Sequence, residues 1–242
     1  MEEPMRRALT ILSLVLLAAA WAQPSVAGNL DVRVGAFFPR ADSNLFHEDT
    51  DLYLRDGSRV DKSDWIGWAG GVSYNAKIAN NLEFGVDLDG YGKTLHTSYA
   101  GYVDGDTGGE IRQDLELDMV PLGVSLRVVP TGRLVRFAPF AEVGAGVMFY
   151  EYKEVGDFVD FYSPDCDTRR GCPVYPDAFK SDGAAFALHV GGGIRVAVSD
   201  DVSVVGQYRY YFAGRKDMGE DFSGLQVDLN GGMATFGFNI RF

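Results

Sequence analysis

Alternation of apolar and polar residues with a period of two, repeated in eight segments, constrains this chain more than any other feature. From Asn29 the even positions Leu30, Val32, Val34, Ala36 and Phe38 are apolar, with Asp31, Arg33 and Gly35 between them. The same pattern recurs over residues 66–78, 82–88, 120–128, 143–149, 186–196, 202–212 and 234–242. A helix cannot place such sets on one face, because its period is 3.6 residues. The phase slips twice. Leu115, Leu117 and Met119 are odd where Val120 onward is even, and Leu225, Val227 and Leu229 are odd where Ala234 onward is even. A bulge, or a strand leaving a membrane, accounts for either slip, and Gly231-Gly232 suits a bulge.

The connections between segments alternate in length. Residues 79–81, 130–134 and 199–201 are short turns, whereas 39–64, 93–114, 151–182 and 213–224 are long. Short turns on one side and long loops on the other are the rhythm of an outer-membrane barrel, which puts both termini in the periplasm. The expected fold is therefore all-β: an eight-stranded antiparallel up-and-down transmembrane β-barrel with long extracellular loops. A mean hydropathy of -0.06 does not oppose this, since such strands alternate lipid-facing and lumen-facing residues.

Residues 1–27 read as a signal peptide. Arg6 and Arg7 precede an apolar run, Ala8 to Ala20, too short to span a bilayer, and Ser25-Val26-Ala27 offers a cleavage point before Gly28, with Ala22 a second one. The barrel then occupies residues 28–242. The net charge is -12, and removing two acids and two bases with the leader leaves it unchanged. Nucleic acid, which needs a basic face, is excluded as a partner. An exported chain meets an oxidising compartment, so Cys166 and Cys172 are expected to form a disulfide that stiffens the third loop.

The closing GMATFGFNIRF resembles the C-terminal signature of outer-membrane barrels: Phe242 is a terminal aromatic, with Ile240, Phe238 and Phe236 at alternate positions before it. The resemblance implies recognition of this strand by the barrel-assembly machinery. PFAEVGAGVMFY and LHVGGGIRVAVSDDVSVVGQYRYYF resemble the fifth to seventh strands of the OmpA-like outer-membrane β-barrel superfamily, which includes OmpX- and OmpW-like proteins. This second resemblance implies a location in the outer membrane of a Gram-negative bacterium. Lipid and lipopolysaccharide are the expected neighbours, and the barrel is expected to be monomeric. With the sequence ending at Phe242, the peptidoglycan-binding domain that follows the barrel in OmpA is not expected.

Lys77, Glu83, Asp87, Asp89, Arg127, Glu142, Arg195 and Arg209 fall on the lumen phase of the alternation. An eight-stranded barrel is just wide enough for side chains to fill, and buried charges must be paired. The expectation is an ion-pair network plugging the lumen, acting either as a polar core or as a gate.

No catalytic residue, metal ligand or cofactor is assigned. Lipid A deacylases resemble this fold and place Ser two positions after a catalytic His, but His189 is followed by Val190 and Gly191. Asp104 to Glu110 superficially suggests a calcium loop, yet the twelfth position from Asp104 is Leu115, where an EF-hand needs Glu. Leu45-Phe46, Leu52-Tyr53-Leu54 and the DFVDFY run at 157–162 add apolar residues to the loops, as an external cap or a binding surface. Tyr91, Tyr99, Tyr102, Tyr150, Tyr152 and Tyr211 are expected near the outer end, some in an interfacial girdle. The expected function is non-enzymatic, a structural or surface-interaction role. The alternative is an OmpW-like narrow channel for small or hydrophobic compounds.

Overall fold

A computed structural model of the chain describes residues 28–131, 136–166 and 171–242. The signal peptide expected over residues 1–27 lies outside the described residues. Eight strands follow one another around a ring: β1 Gly28–Pro39, β2 Gly67–Ala79, β3 Leu82–Val103, β4 Glu110–Val128, β5 Phe137–Val159, β6 Val174–Ala197, β7 Val202–Phe212 and β8 Gly231–Arg241. Each pairs antiparallel with the next, and β8 returns to pair with β1, Val32 standing opposite Phe238. Closure removes the edge strand whose unpaired amides lipid cannot satisfy.

Around the lower part of the ring the even-numbered apolar residues of β1 and β8 point outward as expected. Val32, Val34, Trp68, Phe84, Val143, Phe186, Tyr208, Phe236 and Phe238 are all exposed, an apolar belt suited to lipid. In a water-soluble sheet this many outward aromatics would be an aggregation hazard.

The strands differ in length, and here the sequence expectation needs correcting. β1, β2, β7 and β8 have 11 to 13 residues, enough to cross a bilayer, but β3 to β6 have 19 to 24. Most of the segments read as the second and third loops is thus strand. The alternation never stops there; its sense inverts. Along β3, Glu83, Asp87 and Asp89 face inward near the short turns, and on the same phase Leu95 and Tyr99 are buried further up. Across β4, β5 and β6 the outward row Val120, Phe149 and Ala184 is followed two residues on by Asp118, Glu151 and Asp182. Outside, apolar gives way to charged at the level where inside, charged gives way to apolar.

That inversion explains both phase slips. β4 pairs with β5 from Gln113 to Val128 with no register shift, so Leu115, Leu117 and Met119 mark a strand leaving the membrane and not a bulge. Gly231 and Gly232 pair in constant register with both neighbours; the second slip falls between the short strand Gln226–Asp228 and β8. Tyr91, Tyr99, Tyr150, Tyr152 and Tyr211 point inward and are buried, so they form no lipid-facing girdle.

The tall wall of β3 to β6 is lined by apolar side chains that a narrow ring of short strands cannot cover. The first and fourth connections cover them. Helix α1, Asn44–Leu52, inserts Leu45 and Phe46, and Tyr53, Trp65, Phe222, Val227 and Leu229 complete one cluster with Leu115, Leu117 and Tyr152. Asn44 clamps the two connections together, donating to the Gly224 carbonyl at 2.8 Å and accepting from the Gln226 amide at 2.7 Å. Arg40 reaches across to Asp228 at 2.7 Å. The Cys166–Cys172 disulfide closes the third connection, and Cys172 bonds through its backbone to Val103 and Gly105, each at 2.9 Å, tying that loop to the second. Both carboxylate oxygens of Asp104 are used by the local turn, accepting from the Asp106 amide and the Thr107 hydroxyl.

Inward glycines let the small ring close. A Cβ on Gly237 would lie 1.9 Å from the Val32 carbonyl oxygen, whereas one on Gly206 would meet nothing within 4 Å. Overpacking typically costs ~1–3 kcal/mol, so Gly237→Ala should lower stability by about that amount and Gly206→Ala should not. Urea unfolding of the two variants in lipid vesicles checks this.

Candidate functional site: a paired-charge lumen

Charged side chains that cannot reach water must find counter-charges across the ring, and the strand register decides which ones meet. β4 sets Arg127 between Glu83 on β3 and Glu142 on β5, as direct cross-strand neighbours. Its Nε and Nη2 donate to Glu142 Oε2 at 3.1 and 2.9 Å, and its Nη1 donates across the lumen to Asp31 at 2.9 Å. Arg195, from the lower end of β6, grips Glu83 with two hydrogen bonds of 2.9 Å. The Phe140 ring lies beneath both guanidiniums, 4.3 Å from Arg127 and 5.3 Å from Arg195, so their flat faces also have a partner.

A second layer sits above. Arg209 on β7 spreads its donors over three carboxylates: Nε to Glu142 at 2.7 Å, Nη2 to Asp87 at 2.9 Å and Nη1 to Asp89 at 2.5 Å. Tyr211 also donates to Asp89, at 2.5 Å, and Arg33 reaches Asp89 from the other side at 3.1 Å. Ser73 donates to Asp87 at 2.5 Å, and Gln207 donates to Glu142 at 3.1 Å. Arg127 and Arg209 are fully buried.

Glycine makes two of these pairings sterically possible. Gly71 stands in register between Arg33 and Asp89, and Gly191 stands between Glu142 and Arg209. A Cβ on Gly71 would fall 1.8 Å from Asp89 Oδ1, and one on Gly191 would fall 3.1 Å from Glu142 Oε1. The charges bond across the missing side chain of the intervening strand.

Seven of the eight lumen residues read from the sequence thus meet, but Lys77 does not. It stands exposed near the β2–β3 turn, where the register shifts between Lys77 and Ala79, and Glu83 opposite it is taken by Arg195. Asp31 and Arg33 join the cluster unannounced, as do Asn29, Asn75 and Asn239, which close a hydrogen-bonded patch around Asp31. All lie on the inward phase of β1, β2 or β8, so the alternation held the signal. Five carboxylates (Asp31, Glu83, Asp87, Asp89, Glu142) thus face four guanidiniums (Arg33, Arg127, Arg195, Arg209), a balance of -1.

His189 is buried beside Gly144 and 5.5 Å from the Tyr211 ring, and among the described residues its Nε2 has no hydrogen-bond partner. No group of three or more His, Cys, Asp or Glu side chains suited to a metal ion occurs among the described residues. Phe236, Phe238, Ile240 and Phe242 all face outward on β8 and its end, and Phe242 stacks on Tyr74 with ring centres 6.1 Å apart.

Breaking a buried pair by removing one partner costs ~3–5 kcal/mol. Arg209→Met, which takes a donor from three carboxylates and leaves Asp87 without a guanidinium in hydrogen-bond reach among the described residues, should lose about that much in urea unfolding. Adding Glu142→Gln to Arg209→Met should cost less than Glu142→Gln costs alone, the signature of coupling between the two residues.

Several solved structures are similar to this chain. Neisserial surface protein A matches with 15% identity over 89% of this chain and 97% of its own, at a TM-score of 0.45. The outer membrane protein OprG from Pseudomonas aeruginosa matches with 15% identity over 90% and 97%, at 0.49. A major outer membrane protein from Thermus thermophilus matches with 14% identity over 89% and 100%, at 0.48. The comparison with curated proteins gave no match. Barrels of this kind sit in the outer membrane of Gram-negative bacteria, and this chain, matched over residues 8–242 by the outer membrane protein beta-barrel domain, belongs to that family.

Proposed function

We propose that this barrel is a non-enzymatic, non-conducting outer-membrane protein whose role is structural or surface-interacting: the ring anchors, and the tall outer half presents. One observation carries the reading. The lumen is filled twice over, by the ion-pair lattice below and by the apolar cluster of α1, Trp65, Tyr152 and Phe222 above. Between Asp89, His189 and Tyr211 the space amounts to about 10 Å³. A single water needs ~10–15 Å³, so a solute larger than water does not fit at this point.

The apolar belt supports lipid and lipopolysaccharide as the surroundings of the ring. The outward row ending in Phe242 supports the C-terminal strand as the segment read by the assembly machinery. A leader over residues 1–27, removed on export, and a monomeric barrel complete the proposal.

Single-channel recording in a planar bilayer tests it. The whole protein should show no step conductance, and Glu142→Gln should show none either, because the upper cluster still blocks the path. Steady conductance steps, or uptake of small apolar solutes by vesicles carrying the folded protein, would support the narrow-channel alternative instead.

A further inference from the structure

Above the apolar cluster, on the outer side of the barrel, lies a second kind of space. A cavity of about 210 Å³ opens between α1, the upper ends of β3, β5 and β6, and the turn Glu220–Phe222. Its walls are aromatic. The Tyr99 ring lies 6.0 Å from Phe161, Phe158 lies 4.7 Å from Phe179, and Tyr175 stands 6.3 Å from Phe158. Asp49 from α1 and Glu154 from β5 also line it, both buried.

These two carboxylates are unlike those of the lumen. Each lumen acid has a guanidinium within hydrogen-bond reach; among the described residues neither Asp49 nor Glu154 has a cationic partner. Their hydrogen bonds come from phenols. Tyr152 lies 3.2 Å from Asp49 and 3.0 Å from Glu154, and Tyr53 lies 3.2 Å from Glu154. The Tyr152 hydroxyl has one proton to give and two carboxylates beside it. Two buried negative charges need a positive one nearby, either a proton or a cation.

We propose that this cavity binds a small organic ammonium ion, its charged head held by Asp49 and Glu154 and its alkyl groups against the rings of Tyr99, Phe158 and Phe179. Aromatic faces attract cations, and alkylated ammonium groups favour such cages. A hard metal ion wants six or more oxygen ligands, which walls of phenyl rings do not supply. Glu48 and Asp221, exposed on α1 and the Glu220–Phe222 turn, add negative charge at the cavity's rim, and the chain's net charge of -12 favours cation approach. The inference does not depend on whether the lumen conducts.

With the cavity empty, protons do the neutralising. Burial raises the Glu154 carboxyl to about 7, with the charge of Glu48 adding to it, and burial together with the charge of Glu154 holds Asp49 well above the usual carboxylate range. Facing Glu154 are Glu48 and Asp49 from α1, Tyr152 on its own strand, Tyr53 after α1 and Tyr99 from β3. The three phenols are raised by burial above their ordinary value, so they stay protonated across this range. The ammonium ion binds the ionised form, so its affinity must fall as pH drops through the Glu154 midpoint. For one group titrating near 7, the loss between pH 8 and pH 6 is about tenfold.

Calorimetric titration of the whole protein in detergent micelles with tetramethylammonium chloride tests the proposal, with sodium chloride at matched ionic strength as the control. Saturable binding is expected at pH 8, about tenfold weaker at pH 6. Glu154→Gln should weaken it at least about tenfold and reduce its pH dependence, leaving only what Asp49 contributes. Phe161→Leu, a change at a half-exposed position, should weaken it while leaving heat-modifiable gel mobility intact. A lysine amide that displaces tetramethylammonium would point to an ammonium carried on a peptide; one that does not would point to a free quaternary amine. No binding of either probe, equal heat from sodium, or undiminished binding by well-folded Glu154→Gln or Phe161→Leu would overturn it.

Discussion

An eight-strand ring is so narrow that any side chain turned inward touches something turned inward from across it. The rest of the structure follows from that crowding. Lipid demands closure, because an open edge would leave amides unsatisfied, and closure at this strand number demands that the interior be solved as a packing problem. Where strands must come closest, the inward residue is glycine, as at Gly237 against the Val32 carbonyl. Where a charge must reach a partner two strands away, the strand between contributes Gly71 or Gly191.

The lumen lattice is best understood as specification more than as a source of stability. A buried ion pair recovers little beyond its own desolvation cost, but a mispaired one is expensive. Arg209 bonds to Glu142, Asp87 and Asp89, residues on two different strands far apart in the chain. A register slip by one residue would turn every one of these groups toward lipid. The charges thus fix which strand lies beside which, and at what height, more sharply than lipid-facing Val and Leu can.

The alternation of apolar and polar residues was legible in the sequence wherever the membrane lies outside the wall. Eight strands, their order and their closure all followed from it, and so did most of the lumen charges. It misled where the environment changed sides. Above the row Asp118, Glu151 and Asp182 the same phase continues with opposite chemistry, and a reader following apolar even positions loses the strand at Lys93. Lys77 fits the pattern, but it sits where the strand end flares into solvent. The aromatic cavity was harder still: Asp49 and Glu154 are brought together by α1 folding back onto β5, and no local spacing announces that meeting.

The inversion of polarity along β3 to β6 also divides the molecule by the solvent against which each part is stable. The lower ring sets its outward side chains against lipid, so water-driven apolar burial contributes little to it; its hydrogen-bonded ladders carry it instead. The upper cluster around Leu115, Tyr152 and Trp65 is an ordinary aqueous core standing on that ring. Apolar burial from water brings the heat-capacity change of unfolding and weakens on cooling. Temperature therefore acts on the two ends differently: cold loosens the cap while the ladder beneath it stays closed.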